Sequence, residues 1–176
     1  FGFIKNRSTE SCLIHRLSTI NSDPELFWAW CDLDLKNAFN NVRRNSILEG
    51  LTILGVPGLL TNILISYLSD RFLESTTETA TQIWKSVPQG GILAPKLFNV
   101  SVLPPFLKIK RKYPLVDISL YADDSCLLIS APSVANLSAL TSAVLTDAEK
   151  IFNDYGSTIA DEKSQVLLIK RRSSSD

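Results

Sequence analysis

Methionine is absent from the 176 residues, even at position 1, and histidine occurs once, as His15. Because the first residues already read as the interior of a domain, we expect a fragment of a longer protein. Cysteine occurs only as Cys12, Cys31 and Cys126, an odd number with no C-x-x-C pair. This pattern argues against a zinc site and against a disulfide scaffold, and it favours a reducing compartment.

Long apolar runs are also lacking. No run approaches the roughly 20 residues that a membrane-spanning helix needs, and charge appears too early after residue 1 for a signal peptide. Charge of one sign is not in excess, because 18 Lys and Arg balance 18 Asp and Glu. A strongly basic nucleic-acid-binding arm is therefore excluded, but a local basic groove is not.

What remains is an ordinary globular composition, 45% hydrophobic and 20% charged, of a length that suits one domain. Apolar spacing and turn residues predict alternating helices and strands. The predicted helices span 9–20, 38–54, 57–68, 91–103 and 134–155, and the fourth is expected to end at Pro104-Pro105. The predicted strands span 27–35, 115–120, 126–129 and 166–169, with a two-strand excursion over 72–87.

Without its insertions this order is strand, helix, strand, strand, helix, strand, which is the split βαβ or ferredoxin-like order of an α+β domain. In that topology the first two strands run parallel, and the third runs antiparallel between them. The odd positions of strand 27–35 are apolar and should face the core, which leaves Asp32 and Asp34 on the opposite face. We therefore expect Asp34 to converge with Asp123 and Asp124, which follow the second strand.

Three carboxylates at one sheet edge are the oxygen ligands that Mg²⁺ prefers, together with water and substrate phosphates. Two such ions can activate an attacking oxygen and neutralise a leaving oxygen in phosphoryl transfer. Taken alone, however, Asp123-Asp124 also suits an ordinary surface turn.

Several sequence blocks, in order over nearly the whole chain, resemble the motifs of reverse transcriptases of non-LTR retrotransposons of the jockey type. The blocks are Tyr121-Ala122-Asp123-Asp124 (the YADD motif), Asp34 to Phe39, Val87 to Pro95, Phe1 to Thr9, Tyr67 to Arg71, and Gly156 with Lys163-Ser164. The resemblance implies a ferredoxin-like polymerase palm over 26–170, a remnant of the fingers over 1–25, a tail over 171–176, and no thumb.

The activity implied by the resemblance is RNA-directed DNA polymerisation. Its partners would be an RNA template, a DNA primer and deoxynucleoside triphosphates, and its location would be cytoplasmic and nuclear, away from membranes. The sequence carries no signal for an oligomeric state.

The same resemblance assigns the metal site. Asp34, Asp123 and Asp124 would be catalytic and would hold two Mg²⁺ ions, for which Mn²⁺ could substitute, and the main-chain carbonyl of Leu35 would be a further ligand. Lys163 would assist the leaving pyrophosphate as an acid, and an ordinary solvent-exposed lysine is an equal alternative.

The remaining assignments concern the nucleotide and the nucleic acid. Phe39 would block the sugar 2′-position and so select deoxynucleotides, although a core-facing aromatic is the alternative. Gln89 and Gly90 would shape the floor under the nucleotide, although Pro88-Gln89-Gly90 alone reads as a turn. The other assignments are nucleotide contacts from Lys5 and Arg7 and nucleic-acid contacts from Arg71, Gly91 and Tyr121.

Departures from the family pattern are Ile4, Asn40, Gly91 and Ala160. Together with the missing thumb, they predict weak or no activity of this chain alone. They also leave open a second hypothesis, a decayed palm that only binds nucleic acid or partners. A palm-like nucleotidyl cyclase is a third, but it should lack the blocks at 1–9 and 87–95.

Overall fold

The computed structural model describes residues 2, 4–69, 71–75, 78–82, 85–88 and 90–170. The helices are α1 (Thr9–Asn21), α2 (Arg44–Ile53), α3 (Gly58–Leu68), α4 (Ala94–Lys112) and α5 (Val134–Asp154). The strands are β1 (Phe27–Leu33), β2 (Phe72–Ser75), β3 (Glu78–Gln82), β4 (Asp117–Tyr121), β5 (Asp124–Ala131) and β6 (Gln165–Lys170).

Two compact units share the chain. The first comprises the described residues of Phe1–Lys36, Pro105–Asp154 and Thr158–Asp176, and the second comprises those of Asn37–Pro104 and Tyr155–Ser157. The first unit contains a four-stranded sheet in the order β4-β5-β1-β6, and the second contains the two-stranded sheet β2-β3. The predicted pair of strands within 72–87 is thereby confirmed.

The four-stranded sheet has the predicted split βαβ topology. Strand β5 pairs antiparallel with both β1 and β4, so β1 and β4 run parallel on either side of it. Strand β6 pairs antiparallel with the other edge of β1. The α+β prediction is confirmed, and the ends of β1 and of the β4–β5 hairpin lie at one edge of the sheet.

Side chains on both faces of this sheet are buried. Ala29, Cys31 and Leu33 at odd positions of β1 are buried as predicted, and Leu33 lines a small cavity with residues of α5. Trp28, at an even position, is also buried, because Ile20 of α1 packs beside it on the other face. The sequence predicted one core face, whereas the structure has a helix on each side.

Helix α1 begins where the sequence predicts. The hydroxyl of Ser8 accepts a hydrogen bond from the Ser11 main-chain N–H at 3.1 Å, and the Ser11 hydroxyl accepts one from the Ser8 N–H at 2.8 Å, forming a capping box. The spacing of Leu13, Leu17 and Ile20 in the sequence predicts the apolar face of this helix, and that prediction is wrong in part, because Leu13 and Leu17 are 48% and 45% exposed. Ile20 is buried as predicted, together with Cys12.

The second predicted helix starts six residues later than expected, at Arg44. The chain from 37 onward forms tight turns, in which the Asn40 and Asn41 N–H groups donate to the Asn37 carbonyl at 2.9 and 3.0 Å. Asn37 has a positive φ of 47°, which an α-helix does not accommodate. At the end of these turns Arg43 is extended (φ −87°, ψ 140°) and forms a β-bridge with Lys85, so the helical pattern over 38–43 does not become a helix.

Helix α4 was predicted to end at Pro104-Pro105, but it continues to Lys112. Proline in a helix interior removes hydrogen bonds at a cost of about 3 kcal/mol or more. Here the buried face continues past the prolines, with Phe98 and Val102 before them and Phe106 and Ile109 after them, all at most 5% exposed. Burial of these side chains, each worth about 1.5–3 kcal/mol, outweighs the local penalty.

Replacement of Gly50 in α2 by alanine is expected to destabilise the protein. An added Cβ would lie 2.1 Å from the Val100 carbonyl oxygen of α4, which is backbone and cannot rotate away. Alanine normally favours a helix interior by about 0.5–1 kcal/mol over glycine, but overpacking costs about 1–3 kcal/mol. We expect a lower midpoint in urea unfolding. Gly58→Ala in α3, where no atom lies within 4 Å of the added Cβ, is the control and should show no loss.

Within the described residues, no helix is both long enough and apolar enough to cross a lipid bilayer.

Candidate active site

The hairpin between β4 and β5 has a two-residue turn, because Tyr121 pairs with Asp124 and leaves Ala122 and Asp123 between them. Ala122 adopts a positive φ of 56° at the turn. The positions of the two aspartates therefore differ from the prediction, which placed both in the turn. Asp123 lies in the turn, whereas Asp124 is the first residue of β5.

Strand register brings Asp34 to the same edge. Leu33 pairs with Ser125 as the last pair of the β1–β5 ladder, so the next pair along would be Asp34 and Asp124. Beyond the ladder, Asp34 is held by its main chain: its N–H donates to the Ser164 hydroxyl at 3.3 Å, and its carbonyl accepts from the Ala160 N–H at 2.8 Å. Asp34 thus lies at the same end of the sheet as the turn of the β4–β5 hairpin.

A cavity of about 400 Å³ opens at this edge. Its lining includes the carboxylates of Asp32, Asp34 and Asp124 and two cationic side chains, Arg16 and Lys163. Asp123 is not part of the lining, although the family resemblance assigns it to the same metal site. The predicted convergence therefore holds for Asp34 and Asp124, with Asp32 as a further acidic side chain.

The neighbouring carboxylates and partial burial both act on Asp124. Partial burial raises the pKa of Asp124, and the negative charges of Asp123, Asp32 and Asp34 raise it further, while Arg16 opposes the shift. A divalent cation close to Asp124 would act in the opposite direction and favour its ionised form. The nearest cation to Asp34 is the Lys163 ammonium, whose nitrogen lies 3.8 Å from Oδ2.

The side chains that could supply oxygen ligands at this site fit Mg²⁺ in part. Among the described residues, no group of three or more His, Cys, Asp or Glu side chains is close enough together to hold a metal ion. Mg²⁺, however, is usually held by only one or two carboxylates plus waters and substrate phosphates. The pair Asp34 and Asp124 supplies that number of hard oxygen ligands, and their mutual repulsion is what a divalent cation would relieve.

Arg16 and Asp32 are the site residues that sequence reasoning missed. Arg16 lies four residues from both Cys12 and Ile20, which are buried, so it occupies the inner face of α1. Its Nη1 lies 3.5 Å from Oδ1 of Asp32. The sequence did contain a pattern that could have identified Arg16, because Cys12, Arg16 and Ile20 are four residues apart and so share one face of a helix. The residues Leu13, Leu17 and Ile20 also have helical spacing and are all apolar, and they were therefore predicted to form the buried face.

The other predicted residues of the first unit lie near the hairpin or before α1. Tyr121 lines the cavity, and Leu35 is 4% exposed and forms a β-bridge with Ile159. Lys5 and Arg7 are exposed residues that precede α1.

Four predicted residues belong to the second unit. The Phe39 ring stacks on buried Phe98 with centroids 4.7 Å apart. The Arg71 guanidinium donates to the Ser86 carbonyl at 3.0 Å. Gly90 has a positive φ of 83°, where glycine is favoured, and a Cβ on Gly91 would lie 3.0 Å from the Tyr67 hydroxyl. Gln89, Phe1, Phe3 and the tail at 171–176 lie outside the described residues.

A split βαβ sheet with aspartates after its first strand and on the β4–β5 hairpin is the arrangement expected of a polymerase palm. Residues 1–174 match the family model "Reverse transcriptase (RNA-dependent DNA polymerase)". The chain therefore belongs to the reverse transcriptase family, as the motifs predicted.

A curated relative supports the retrotransposon origin. The "Putative 115 kDa protein in type-1 retrotransposable element R1DM" of Drosophila melanogaster is 25% identical over 173 residues, which are 97% of this chain and 16% of that protein. The prediction of a non-LTR retrotransposon reverse transcriptase is confirmed, whereas the jockey-type assignment stays a prediction.

Solved structures show the same fold. Apo telomerase from Candida tropicalis, truncated from the C-terminal domain, matches with a TM-score of 0.62 at 13% identity, over 96% of this chain and 36% of that one. Telomerase from the same organism in complex with a TWJ fragment of telomeric RNA matches with a TM-score of 0.67 at 11% identity, over 92% and 30%. The chain thus spans about a third of these telomerase chains.

Proposed function

We propose that this chain is the catalytic palm of an RNA-directed DNA polymerase, which extends a DNA primer on an RNA template from deoxynucleoside triphosphates. The observation that carries the proposal is the meeting of Asp34 and Asp124 in one cavity at the sheet edge. Family membership supports the same reaction, and such a polymerase would act in the cytoplasm or the nucleus, where its template and target are found.

In this proposal Asp34 and Asp124 would hold the divalent ions, and Asp123 in the turn and the Leu35 carbonyl would be further ligands. Two bound Mg²⁺ ions, or Mn²⁺ in their place, would supply charge neutralisation for the triphosphate and activation of the primer 3′-hydroxyl. The protein side chains mainly orient the reactants. Lys163, 3.8 Å from Asp34, is suited to hold the proton that the leaving pyrophosphate takes up.

Other predicted contacts remain part of the proposal. Lys5 and Arg7 would contact the triphosphate or the template backbone, and Arg71 a template phosphate. Gln89 with the neighbouring glycines Gly90 and Gly91 would line the floor beneath the nucleotide, and Tyr121 would contact nucleic acid. The division into a fingers remnant over 1–25, a palm over 26–170 and a tail over 171–176 belongs to the same proposal.

A binding-only palm is the second candidate. It is favoured by Asp123 lying outside the cavity lining. A decayed site of this kind would still bind nucleic acid through its backbone and its cationic side chains.

Primer extension separates the two candidates. The longest protein that the reading frame encodes is mixed with an RNA template, a DNA primer and deoxynucleotides, with Mg²⁺ or with chelator. We expect extension that requires the metal and is abolished by Asp124→Ala. If primer and template bind but no Mg²⁺-dependent extension occurs, the binding-only palm is correct.

Replacement of Phe39 by valine tests the proposed sugar selection. A smaller side chain should remove the clash with a 2′-hydroxyl, so the ratio of ribonucleotide to deoxynucleotide incorporation is expected to rise at least about tenfold, worth 1.4 kcal/mol. The variant also loses the stack on Phe98, worth about 0.5–1.5 kcal/mol of stability. Phe98→Leu, which loses the same stack but retains Phe39, is the control. If Phe39→Val leaves the ratio of ribonucleotide to deoxynucleotide incorporation unchanged, Phe39 does not select the sugar and is a core-facing aromatic.

A further inference from the structure

Helix α1 projects Arg16 over the face of the sheet that carries the acidic edge. The Arg16 Nε donates to the Ser119 hydroxyl of β4 at 2.8 Å, and its Nη1 lies 3.5 Å from Oδ1 of Asp32 on β1. The guanidinium carbon lies 5.2 Å from the centroid of the Trp30 ring. The Arg16 side chain is only 12% exposed, so these partners hold it in one position.

The two polar partners of Arg16 belong to one row across three strands. Ser119 pairs with Cys126, and Cys126 pairs with Asp32. Because side chains on one face recur every second residue, the next row along this face contains Tyr121, Asp124 and Asp34. Arg16 thus connects β4 to β1 at the row next to the one that contains Asp34 and Asp124.

This connection matters because the β1–β5 ladder ends at the pair Leu33 and Ser125. Asp124, one residue further, is paired with Tyr121 of β4, which is an edge strand of the sheet. The position of the hairpin end therefore depends on how β4 is held relative to β1. An arginine suits that task, because its rigid fork reaches two acceptors at once, whereas a lysine has a single ammonium.

We infer that Arg16 is a positioning residue for the metal-binding carboxylates. By bridging Ser119 and Asp32, it fixes the hairpin that carries Asp124 relative to the end of β1 that carries Asp34. The inference rests on the proposed function, since it concerns the ions that these carboxylates would hold. Arg16 does not itself touch the reactants in this role.

The test measures Mn²⁺ affinity by electron paramagnetic resonance and amide hydrogen exchange of residues 121–125 in the 176-residue chain. Loss of a residue that orients metal ligands typically costs 10–100-fold in affinity. We expect Arg16→Met to weaken Mn²⁺ binding at least about tenfold and to speed exchange in the hairpin, with Arg16→Lys intermediate.

His15→Gln is the matched control. His15 is the neighbouring residue of α1, and its Nε2 lies 3.0 Å from Oδ2 of Asp117, on the same strand but one row further from the carboxylates. A merely structural link between α1 and β4 would be weakened by either variant. We expect His15→Gln to leave Mn²⁺ affinity within about twofold and hairpin exchange unchanged.

Each outcome has a distinct meaning. If the unaltered chain binds Mn²⁺ but Arg16→Met changes neither readout, the positioning role is overturned and the proposed function stands. If the unaltered chain binds no Mn²⁺, the proposed function fails, and hairpin exchange alone decides whether Arg16 holds β4. If Arg16→Met does not fold, Ser119→Ala takes its place, because it removes the acceptor and should weaken Mn²⁺ binding in the same direction.

Discussion

Asp34→Asn is expected to lower the rate of primer extension by about 1,000-fold or more. A divalent ion supplies several kcal/mol of charge stabilisation in phosphoryl transfer, and each 1.36 kcal/mol corresponds to a factor of ten. Asparagine retains the size of the side chain but removes the charge that would hold the ion. The Asp34 main-chain hydrogen bonds to Ser164 and Ala160 are unaffected by this change, so the fold should persist.

The control for this variant is Glu162→Gln, which also removes one negative charge. Glu162 is 62% exposed and pairs with Lys36 at 3.3 Å, and it does not line the cavity. We expect near-normal extension from Glu162→Gln, measured as single-turnover rates at saturating Mg²⁺. Equal rates for Asp34→Asn and the unaltered protein would show that Asp34 holds no catalytic metal.

Phe152→Ala is expected to cause the largest loss of stability. Phe152 is 1% exposed, and its ring packs edge-on against Phe106 with centroids 5.0 Å apart. Truncation of a buried phenylalanine to alanine typically costs about 3–5 kcal/mol. Since domains are commonly stable by only about 5–15 kcal/mol, a large part of the folding free energy would be lost.

Urea unfolding followed by circular dichroism measures this loss. Val134→Ala lies on the same helix, α5, but Val134 is 51% exposed, so its cost should stay within about 0.5 kcal/mol. If Val134→Ala destabilised the chain as much as Phe152→Ala, the buried face of α5 would be assigned incorrectly.

The strand order of the fold could be predicted because it follows from local signals. A hairpin turn, apolar strands and one long amphipathic helix leave few topologies, and the split βαβ order is one of them. Helix limits were harder to predict. The continuation of α4 through Pro104-Pro105 depends on burial of both halves of the helix, and the late start of α2 depends on the β-bridge between Arg43 and Lys85. Neither is visible in a single sequence.

Part of the candidate site could also be predicted from the sequence, and part could not. Asp34 and Asp124 converge because the register of β1 with β5 ends at the pair Leu33 and Ser125, which leaves the next residue of each strand facing the other. The difference between Asp123 and Asp124 could not be predicted, since it depends on which residue begins β5. Arg16 was missed because a buried arginine is recognised by its partners, Ser119 and Asp32, which are distant in sequence from one another.

The central claim is that Asp34 and Asp124, from two distant segments of the chain, bind divalent ions together. Titration of the 176-residue chain with Mn²⁺, followed by electron paramagnetic resonance, tests this most directly. We expect saturable binding that Asp34→Asn and Asp124→Asn each weaken at least about tenfold, as removal of a charged ligand should. Binding that is absent, or that is equally strong in both variants, would contradict the claim.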